Sequence, residues 1–380
     1  MRSLLTLVGT GLVMLAAPAT ARAPVPDEIP IAMLVDVTSG QTLFAREEDR
    51  RFVPASVTKV MTAYTAFELV AADRLRLDMP FLYTTQLEDE WYNEGSNMFL
   101  LAGERPTIAQ LLLGITTVSG NDASAAMAVA ATGSLEEWLR LMNENARDLG
   151  MRNTHFGSPN GFPDGGQTYT TASDLVLLGT AVTQNHPGLY RQFFGHRSFR
   201  WRDITQGNHD PVTGYVDGAD GLKTGYTNEA GFTFLGSAER DGQRLMVVIA
   251  GAPSDPLRDR ASRALLEWGF DAFDRRTLFQ AKTLVGTAEV QDGASREVGL
   301  RLPRELAVSV PEGSGSRDWT TQVIYRGPLA APIAQGDTVA RLRVMRGDET
   351  LLEMPLEAAA DVPEANALQR IANAFAGWLA

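Results

Sequence analysis

Two strand-like stretches lie far apart in the chain and bracket a segment that is almost wholly helical, and this split constrains the fold more than any other feature. Over residues 31–45 the pattern reads as strand, a turn at Thr38-Ser39-Gly40-Gln41, and strand again. Residues 231–239 and 244–251 repeat that arrangement around Arg240-Asp241-Gly242-Gln243, where Asp-Gly is a strong hairpin signal. Between the two hairpins, apolar residues recur at spacings of three and four over 53–70, 107–118, 123–131, 135–149 and 172–183. The first of these helices carries Val57, Val60, Met61, Tyr64 and Phe67 on one face, with Pro54 near its start. An isolated hairpin is marginal in water, so the two ends are expected to join in one antiparallel sheet with the helices inserted between them. After the second hairpin, a helix starting near Pro256 spaces Leu257, Ala261, Ala264, Leu265 and Trp268 to face that sheet.

From about residue 277 the texture changes to short alternating runs at 297–302, 306–310, 321–325 and 338–345, punctuated by Gly and Pro. The expected architecture is therefore α+β, an antiparallel sheet with helices, followed by a small all-β domain. The boundaries drawn from these patterns are 22–274 and 275–360. At the N-terminus, Arg2, the apolar run 4–17 and the small-x-small site Ala19-Thr20-Ala21 read as an export signal over 1–21. That run is shorter than the roughly 20 residues a spanning helix needs. At the other end, 361–380 holds an amphipathic helix with Leu368, Ile371, Ala372, Phe375, Trp378 and Leu379 on one face. Such a stripe suits either an interfacial helix on a membrane or a cap on the preceding domain, and Arg370 is its only basic residue.

Charge excludes one class of partner. With 34 Lys+Arg against 46 Asp+Glu, the formal net charge is −12, so the chain has no electrostatic footprint for nucleic acid. Cysteine is absent, which removes thiolate nucleophiles, disulfides and Cys-ligated zinc. The four histidines, His155, His186, His196 and His209, lack His-x-x-x-His spacing, so neither a metal site nor a cofactor is indicated. The acidic run Glu88-Asp89-Glu90 reads as a solvated loop.

Of the 34 basic residues only three are lysines: Lys59, Lys223 and Lys282. An amine, unlike a guanidinium, can be neutral near pH 7, so a lysine in an arginine-rich chain marks a place where that property is useful. Lys59 ends Ser56-Val57-Thr58-Lys59 on the first turns of the apolar helix, three residues from a serine and so on the same face. Serine is a poor nucleophile without an adjacent base, and desolvation or a neighbouring cation would keep the lysine neutral enough to act as one. Lys223 begins Lys223-Thr224-Gly225 just before the second hairpin. There Thr224 and Lys223 suit a carboxylate, and Gly225 permits close backbone approach. Between them, Ser119-Gly120-Asn121 offers a relay hydroxyl and an amide that donates and accepts.

Each triplet alone is common; in this order and on these elements they match the pattern of β-lactamases and penicillin-binding proteins. The longer runs Pro54-Ala55-Ser56-Val57-Thr58-Lys59-Val60-Met61-Thr62, Ser119-Gly120-Asn121-Asp122-Ala123, Asn153-Thr154-His155-Phe156 and Asp220-Gly221-Leu222-Lys223-Thr224-Gly225-Tyr226-Thr227 resemble the low-molecular-mass penicillin-binding proteins that are D-alanyl-D-alanine carboxypeptidases. Tyr325-Arg326-Gly327-Pro328-Leu329 with Ala331-Pro332-Ile333 resembles that family's small C-terminal β domain.

The resemblance implies that Ser56 attacks the carbonyl between the last two D-alanines of a peptidoglycan stem pentapeptide, and that β-lactams acylate the same serine. It assigns Lys59 as the base and Ser119 with Lys223 as the relay to the departing D-alanine. Backbone N–H groups of Ser56 and Tyr226 would form an oxyanion hole, typically worth about 3 kcal/mol per donor. It also gives Asn121 the acyl-chain amide, Thr224 the terminal carboxylate and Arg258 the orientation of that carboxylate, with Arg244 and Arg260 close to Arg258 in sequence. It implies a periplasmic location, with peripheral membrane contact through the tail helix as one reading. Tyr226 stands where some relatives have His, and the tail lacks the basic cluster of anchored members. The competing readings are a D,D-endopeptidase, a serine β-lactamase, disfavoured by Ser119-Gly120-Asn121 and the appended domain, and a non-catalytic wall-binding protein, which would need none of the three motifs.

Overall fold

A computed structural model describes residues 22–312, 319–366 and 369. The expected export signal and most of the expected tail helix lie outside the described residues. The chain opens with β1 (Ile31–Asp36) and β2 (Gln41–Arg46), then a 3₁₀ turn (Ala55–Thr58) that runs directly into α1 (Lys59–Ala71). Next come α2 (Thr85–Trp91), α3 (Ile108–Thr116), α4 (Asn121–Thr132), α5 (Leu135–Asp148), α6 (Ala172–Asn185) and α7 (Pro187–Phe193). A short hairpin of β3 (Ser198–Trp201) and β4 (Ile204–Gly207) precedes β5 (Ala219–Thr227), β6 (Gly231–Arg240), β7 (Gln243–Ala252) and α8 (Asp255–Asp271).

The two ends of this region meet as their patterns require. The sheet order is β2-β1-β7-β6-β5, with β1 registered antiparallel on β7 from Ile31 opposite Ala250 to Asp36 opposite Leu245. Strand alternation divides the sheet between two cores. Met33, Val35, Met246 and Val248 pack against the helical layer of α1, α3 and α6, whereas Leu34, Leu245, Val247 and Ile249 pack against Leu265 and Leu266 of α8. Because both faces are covered, β1 and β7 read as near-continuous apolar runs rather than alternating ones. The β6–β7 turn has Asp241 at φ 48° and Gly242 at φ 77°, the two positive angles that a two-residue Asp-Gly hairpin demands.

Local capping fixes the helix starts. Thr107 and Gln110 form a reciprocal capping box on α3, and the side chains of Ser134 and Thr171 accept the N3 amides of α5 and α6. The run Glu88-Asp89-Glu90, expected as a loop, lies instead on α2, where Thr84 caps the Leu87 amide and the Glu88 carboxylate accepts the Ala102 N–H at 2.8 Å. Leu87 is that helix's only buried residue, so it leaves no apolar period to read.

The C-terminal domain is all β: β8 (Phe273–Phe279), β9 (Leu284–Gln291), β10 (Glu297–Arg301), β11 (Leu306–Pro311), β12 (Trp319–Ile324), β13 (Leu329–Ala330), β14 (Thr338–Arg346) and β15 (Glu349–Ala358). Its main sheet has the order β12-β14-β15-β10-β9-β13, and β8 pairs separately with β11. β8 spans both sides of the 274/275 boundary drawn from the sequence. A core of its own, centred on Leu300, Leu306, Val344 and Leu356, holds the domain together. A buried hydrogen-bond junction fastens it to the first sheet: Gln41 and Ser309 exchange two bonds of 2.9 Å, and the Ser309 hydroxyl donates to Asp36 at 3.0 Å.

Candidate active site

The first motif is built where the chain turns from Pro54 into α1. Ala55 holds φ 49°, an angle that favours glycine and is sterically costly for alanine. Ser56 follows on the 3₁₀ turn, half-buried, and Lys59, the first residue of α1, is 1% exposed. The Lys59 Nζ lies 2.9 Å from Ser56 Oγ, 2.7 Å from Asn121 Oδ1 and 2.7 Å from the Asn160 carbonyl. Burial, reinforced by the Lys223 ammonium, pushes Lys59 well below the ordinary lysine range, with Asp122 opposing. A neutral amine has two N–H bonds and one lone pair. Asn121 Oδ1 and the Asn160 carbonyl can only accept, so they take the two hydrogens and leave the lone pair for the Ser56 hydroxyl proton.

The second motif forms the turn between α3 and α4. Ser119 sits at φ 64° with its side chain buried, and Gly120 precedes the first residue of α4, Asn121. The Asn121 amide Nδ2 donates to the Glu94 carbonyl at 2.8 Å, which fixes its Oδ1 toward Lys59. Asp122, wholly buried, accepts the Met98, Leu100 and Ala123 amides at 2.8, 3.0 and 2.8 Å and so ties the 94–100 segment to the start of α4. Burial raises its carboxyl against the pull of those donors.

The third motif lies on β5, the edge strand beside the 3₁₀ turn. Gly225 is required by that contact: a Cβ there would stand 2.5 Å from the Pro54 carbonyl oxygen and 3.1 Å from the Ser56 amide nitrogen. The close approach expected of this glycine is thus between strand and nucleophile turn, which brings β5 beside the Ser56 amide. Thr224, Gly225 and Tyr226 line the cleft, whereas Lys223 stands behind them, 3% exposed, its Nζ donating to the Thr224 carbonyl at 2.9 Å. Burial, together with the Arg258 guanidinium, pushes Lys223 down to about 7, with Asp210 opposing.

Arg258, on the first turn of α8, lines the same cleft and is held by Asp255 and Asp259, the latter at 2.6 Å. The two neighbouring arginines are placed elsewhere: Arg244 is engaged with Asp220, Glu239 and Ser237, and Arg260 is exposed away from the cleft. The structure therefore gathers Ser56, Ser119, Asn121, Thr224, Gly225, Tyr226 and Arg258 around one cleft of about 730 Å³, with Lys59 and Lys223 buried in its wall. Among the described residues no group of His, Asp or Glu could hold a metal ion.

Such a constellation offers a hydroxyl nucleophile with a desolvated amine base, a second hydroxyl, a strand edge to pair with an extended substrate, and a fixed cation at one end. Comparison with known proteins gives the same answer. The family model for D-alanyl-D-alanine carboxypeptidase matches residues 20–254, and that for the penicillin-binding protein 5 C-terminal domain matches residues 273–364. The chain belongs to the D-alanyl-D-alanine carboxypeptidase family. As such it is a serine peptidase with an α+β catalytic domain and an all-β C-terminal domain. It is 31% identical over 376 residues to D-alanyl-D-alanine carboxypeptidase DacC of Escherichia coli, covering 96% of this chain and 92% of that one. It is 30% identical over 373 residues to DacD of Salmonella typhimurium, covering 95% and 94%. Penicillin-binding protein 5 of Haemophilus influenzae superposes with a TM-score of 0.78 at 27% identity, covering 90% of this chain and 100% of that one. Penicillin-binding protein D2 of Listeria monocytogenes, solved in an ampicillin-bound form, superposes with a TM-score of 0.58 at 27% identity, covering 64% and 98%.

Two parts of this site were not read from the sequence. Asn160, whose carbonyl holds Lys59, lies in Ser158-Pro159-Asn160-Gly161-Phe162, and Gly161 at φ 72° leaves no room for a Cβ beside the Ala55 carbonyl. The Pro-Asn-Gly signature marks a turn and could have flagged the segment, though not its partner. Phe162 reaches the cleft and stacks edge-on with Trp91 at 5.8 Å. His209, whose position just upstream of the Lys223 strand already put it near the site though with no role assigned, does line the cleft, where burial and the Lys223 cation lower its pKa.

Proposed function

We propose that the chain removes the terminal D-alanine from peptidoglycan stem pentapeptides through an acyl-enzyme on Ser56, and that β-lactams acylate the same oxygen. Ser56 Oγ attacks the penultimate D-alanine carbonyl as its proton passes to neutral Lys59. The backbone amides of Ser56 and Tyr226 receive the developing oxyanion, each worth about 3 kcal/mol. Collapse breaks the C–N bond, and the leaving amine takes a proton delivered through Ser119 and Lys223. Asn121 holds the acyl-chain amide, while Thr224 and Arg258 receive the terminal carboxylate. Water then attacks the ester, giving up its proton as Ser56 regains one, and the shortened stem leaves.

The observation that carries this reading is the 2.9 Å approach of a buried lysine amine to the Ser56 hydroxyl, with the amine's two hydrogens already committed to Asn121 and Asn160. Incubation with a labelled penicillin and with a stem pentapeptide tests it. Wild type is expected to bind penicillin covalently and to release D-alanine. Covalent label on Ser56→Ala would remove Ser56 as nucleophile. Release from crosslinked dimers alone would make the chain an endopeptidase, and rapid turnover of the penicilloyl adduct a β-lactamase. Export to the periplasm follows from the 1–21 signal; among the described residues no helix is long and apolar enough to cross a membrane. Peripheral contact through 361–380 predicts that deleting those residues abolishes flotation with vesicles, and equal flotation removes it.

A further inference from the structure

The catalytic cleft continues into a second groove of about 710 Å³ that none of the roles above uses. The two share Tyr226, Asn228 and Phe232, so a chain lying along the β5 edge and passing Tyr226 enters the groove directly. The shared floor is firm. Tyr226, 52% exposed, stacks on Phe232 at 4.3 Å, and its hydroxyl donates to Asn228 at 2.8 Å. Across from this floor the groove is walled by Arg50 and Arg51, in the segment that leads into the Ser56 turn.

Both arginines are exposed, and among the described residues neither pairs with a carboxylate, in a chain of formal net charge −12. Asp49, next to Arg50 in sequence, instead accepts from Ser173 at 2.7 Å. Arg51 is preorganised without being neutralised: its guanidinium lies 4.6 Å over the Tyr169 ring and donates to Asn153 Oδ1 at 3.0 Å. The one acid in the groove is Glu229, which is exposed. Cations therefore line both of the two adjoining pockets. Arg258 lines the cleft and not the groove, and Arg50 and Arg51 line the groove and not the cleft.

We propose that the groove is a subsite for the carboxylate-bearing stem residues that precede the two D-alanines, with Arg50 and Arg51 receiving carboxylates and Glu229 facing an accompanying ammonium. The proposal rests on the carboxypeptidase reading of the cleft, and it makes the substrate a doubly anchored anion held at either side of Ser56. Guanidinium forks match carboxylates in geometry, and at this exposure their contribution falls with added salt.

The test compares a stem pentapeptide with free upstream carboxylates against an acetylated tripeptide that ends in D-Ala-D-Ala and has no upstream charge. For Arg50→Gln/Arg51→Gln, the ratio of kcat/KM between pentapeptide and tripeptide is expected to fall roughly three- to tenfold, through KM. Raising salt is expected to shrink the wild-type ratio toward the variant's. Arg50→Glu, at an exposed side chain with no hydrogen bond or ion pair among the described residues, is expected to lower the ratio as well. An unchanged ratio in both variants, with wild type cleaving both peptides, overturns the groove alone. Failure of wild type to release D-alanine from either peptide overturns the carboxypeptidase reading and the subsite with it.

Discussion

The two domains treat buried polarity in opposite ways. The catalytic domain buries Lys59, Ser119, Asn121, Asp122, Asn160, Lys223, Thr224 and Arg258 within one neighbourhood. Among the described residues of the β domain, Ser309 is the only buried polar one, and its bonds go to Gln41, Asp36 and Gln243 of the other domain. Burying a polar group costs free energy unless it is bonded, and burying an amine shifts it toward neutrality. The catalytic domain accepts that cost where a neutral lysine beside a serine is useful. The β domain, with a core mostly of Leu and Val, buries one polar residue, and that one is bonded across the junction.

The sharpest way to break this contrast is Lys59→Arg. A guanidinium keeps its proton, so it cannot take one from Ser56, and its fork does not fit a pocket in which Asn121 Oδ1 and the Asn160 carbonyl take the two hydrogens of a compact amine. Acylation by penicillin is expected to slow by about 10² to 10⁴, the usual worth of a general base, measured by stopped-flow with a fluorescent penicillin. A rate within a few fold of wild type would mean that another group takes the Ser56 proton.

The next effect is a displaced pH limb. Lys223 is pushed down to about 7, whereas Lys59 is held well below its ordinary range by burial and by Lys223 itself. The proposed mechanism uses Lys223 in its protonated form, which is complete well below about 7 and is lost as pH rises through that value. Acylation is therefore expected to decline on the alkaline side from near pH 7. Lys223→Arg, with a permanent charge, is expected to move that decline to higher pH, read from the pH dependence of kcat/KM. A limb that stays in place in the variant would assign it to another group.

How much of this was legible follows from the same contrast. The sheet joining both ends of the first domain was readable because apolar period and the Asp241-Gly242 turn survive in local sequence, and the site was readable because its lysines stand out among arginines. What escaped were relations between distant segments. Asn160 serves through its backbone carbonyl, which no side-chain pattern reports. Ala55 and Ser119 hold positive φ without being glycine, so nothing in their identity announces the strained turns that aim the motif residues. Gly225 was expected to admit substrate, yet its missing Cβ is demanded first by Pro54 and Ser56. The Arg50/Arg51 groove is invisible in sequence because β5, β6, β7 and the 50–53 segment meet only after folding.

The smallest effects on catalysis belong to the β domain. Leu300→Ala removes a fully buried side chain from its core and is expected to cost about 2–5 kcal/mol of that domain's stability, read as an earlier step in denaturant unfolding. Penicillin acylation below that step is expected to match wild type, because the junction at Ser309 touches β1, β2 and the first residue of β7, and none of the β5 edge. Lys282→Arg should do still less. This third lysine is exposed, and its backbone amide rather than its amine makes the bond that matters, to the Leu302 carbonyl at 2.9 Å. Charge and φ tolerance are the same for arginine, so stability is expected to move by less than about 0.5 kcal/mol and acylation not at all. A measurable loss of acylation in Lys282→Arg would show that the two domains are coupled through more than the Asp36–Ser309 junction. The separation between a polar, reactive half and an apolar, supporting half would then fail at the residue where it predicts least.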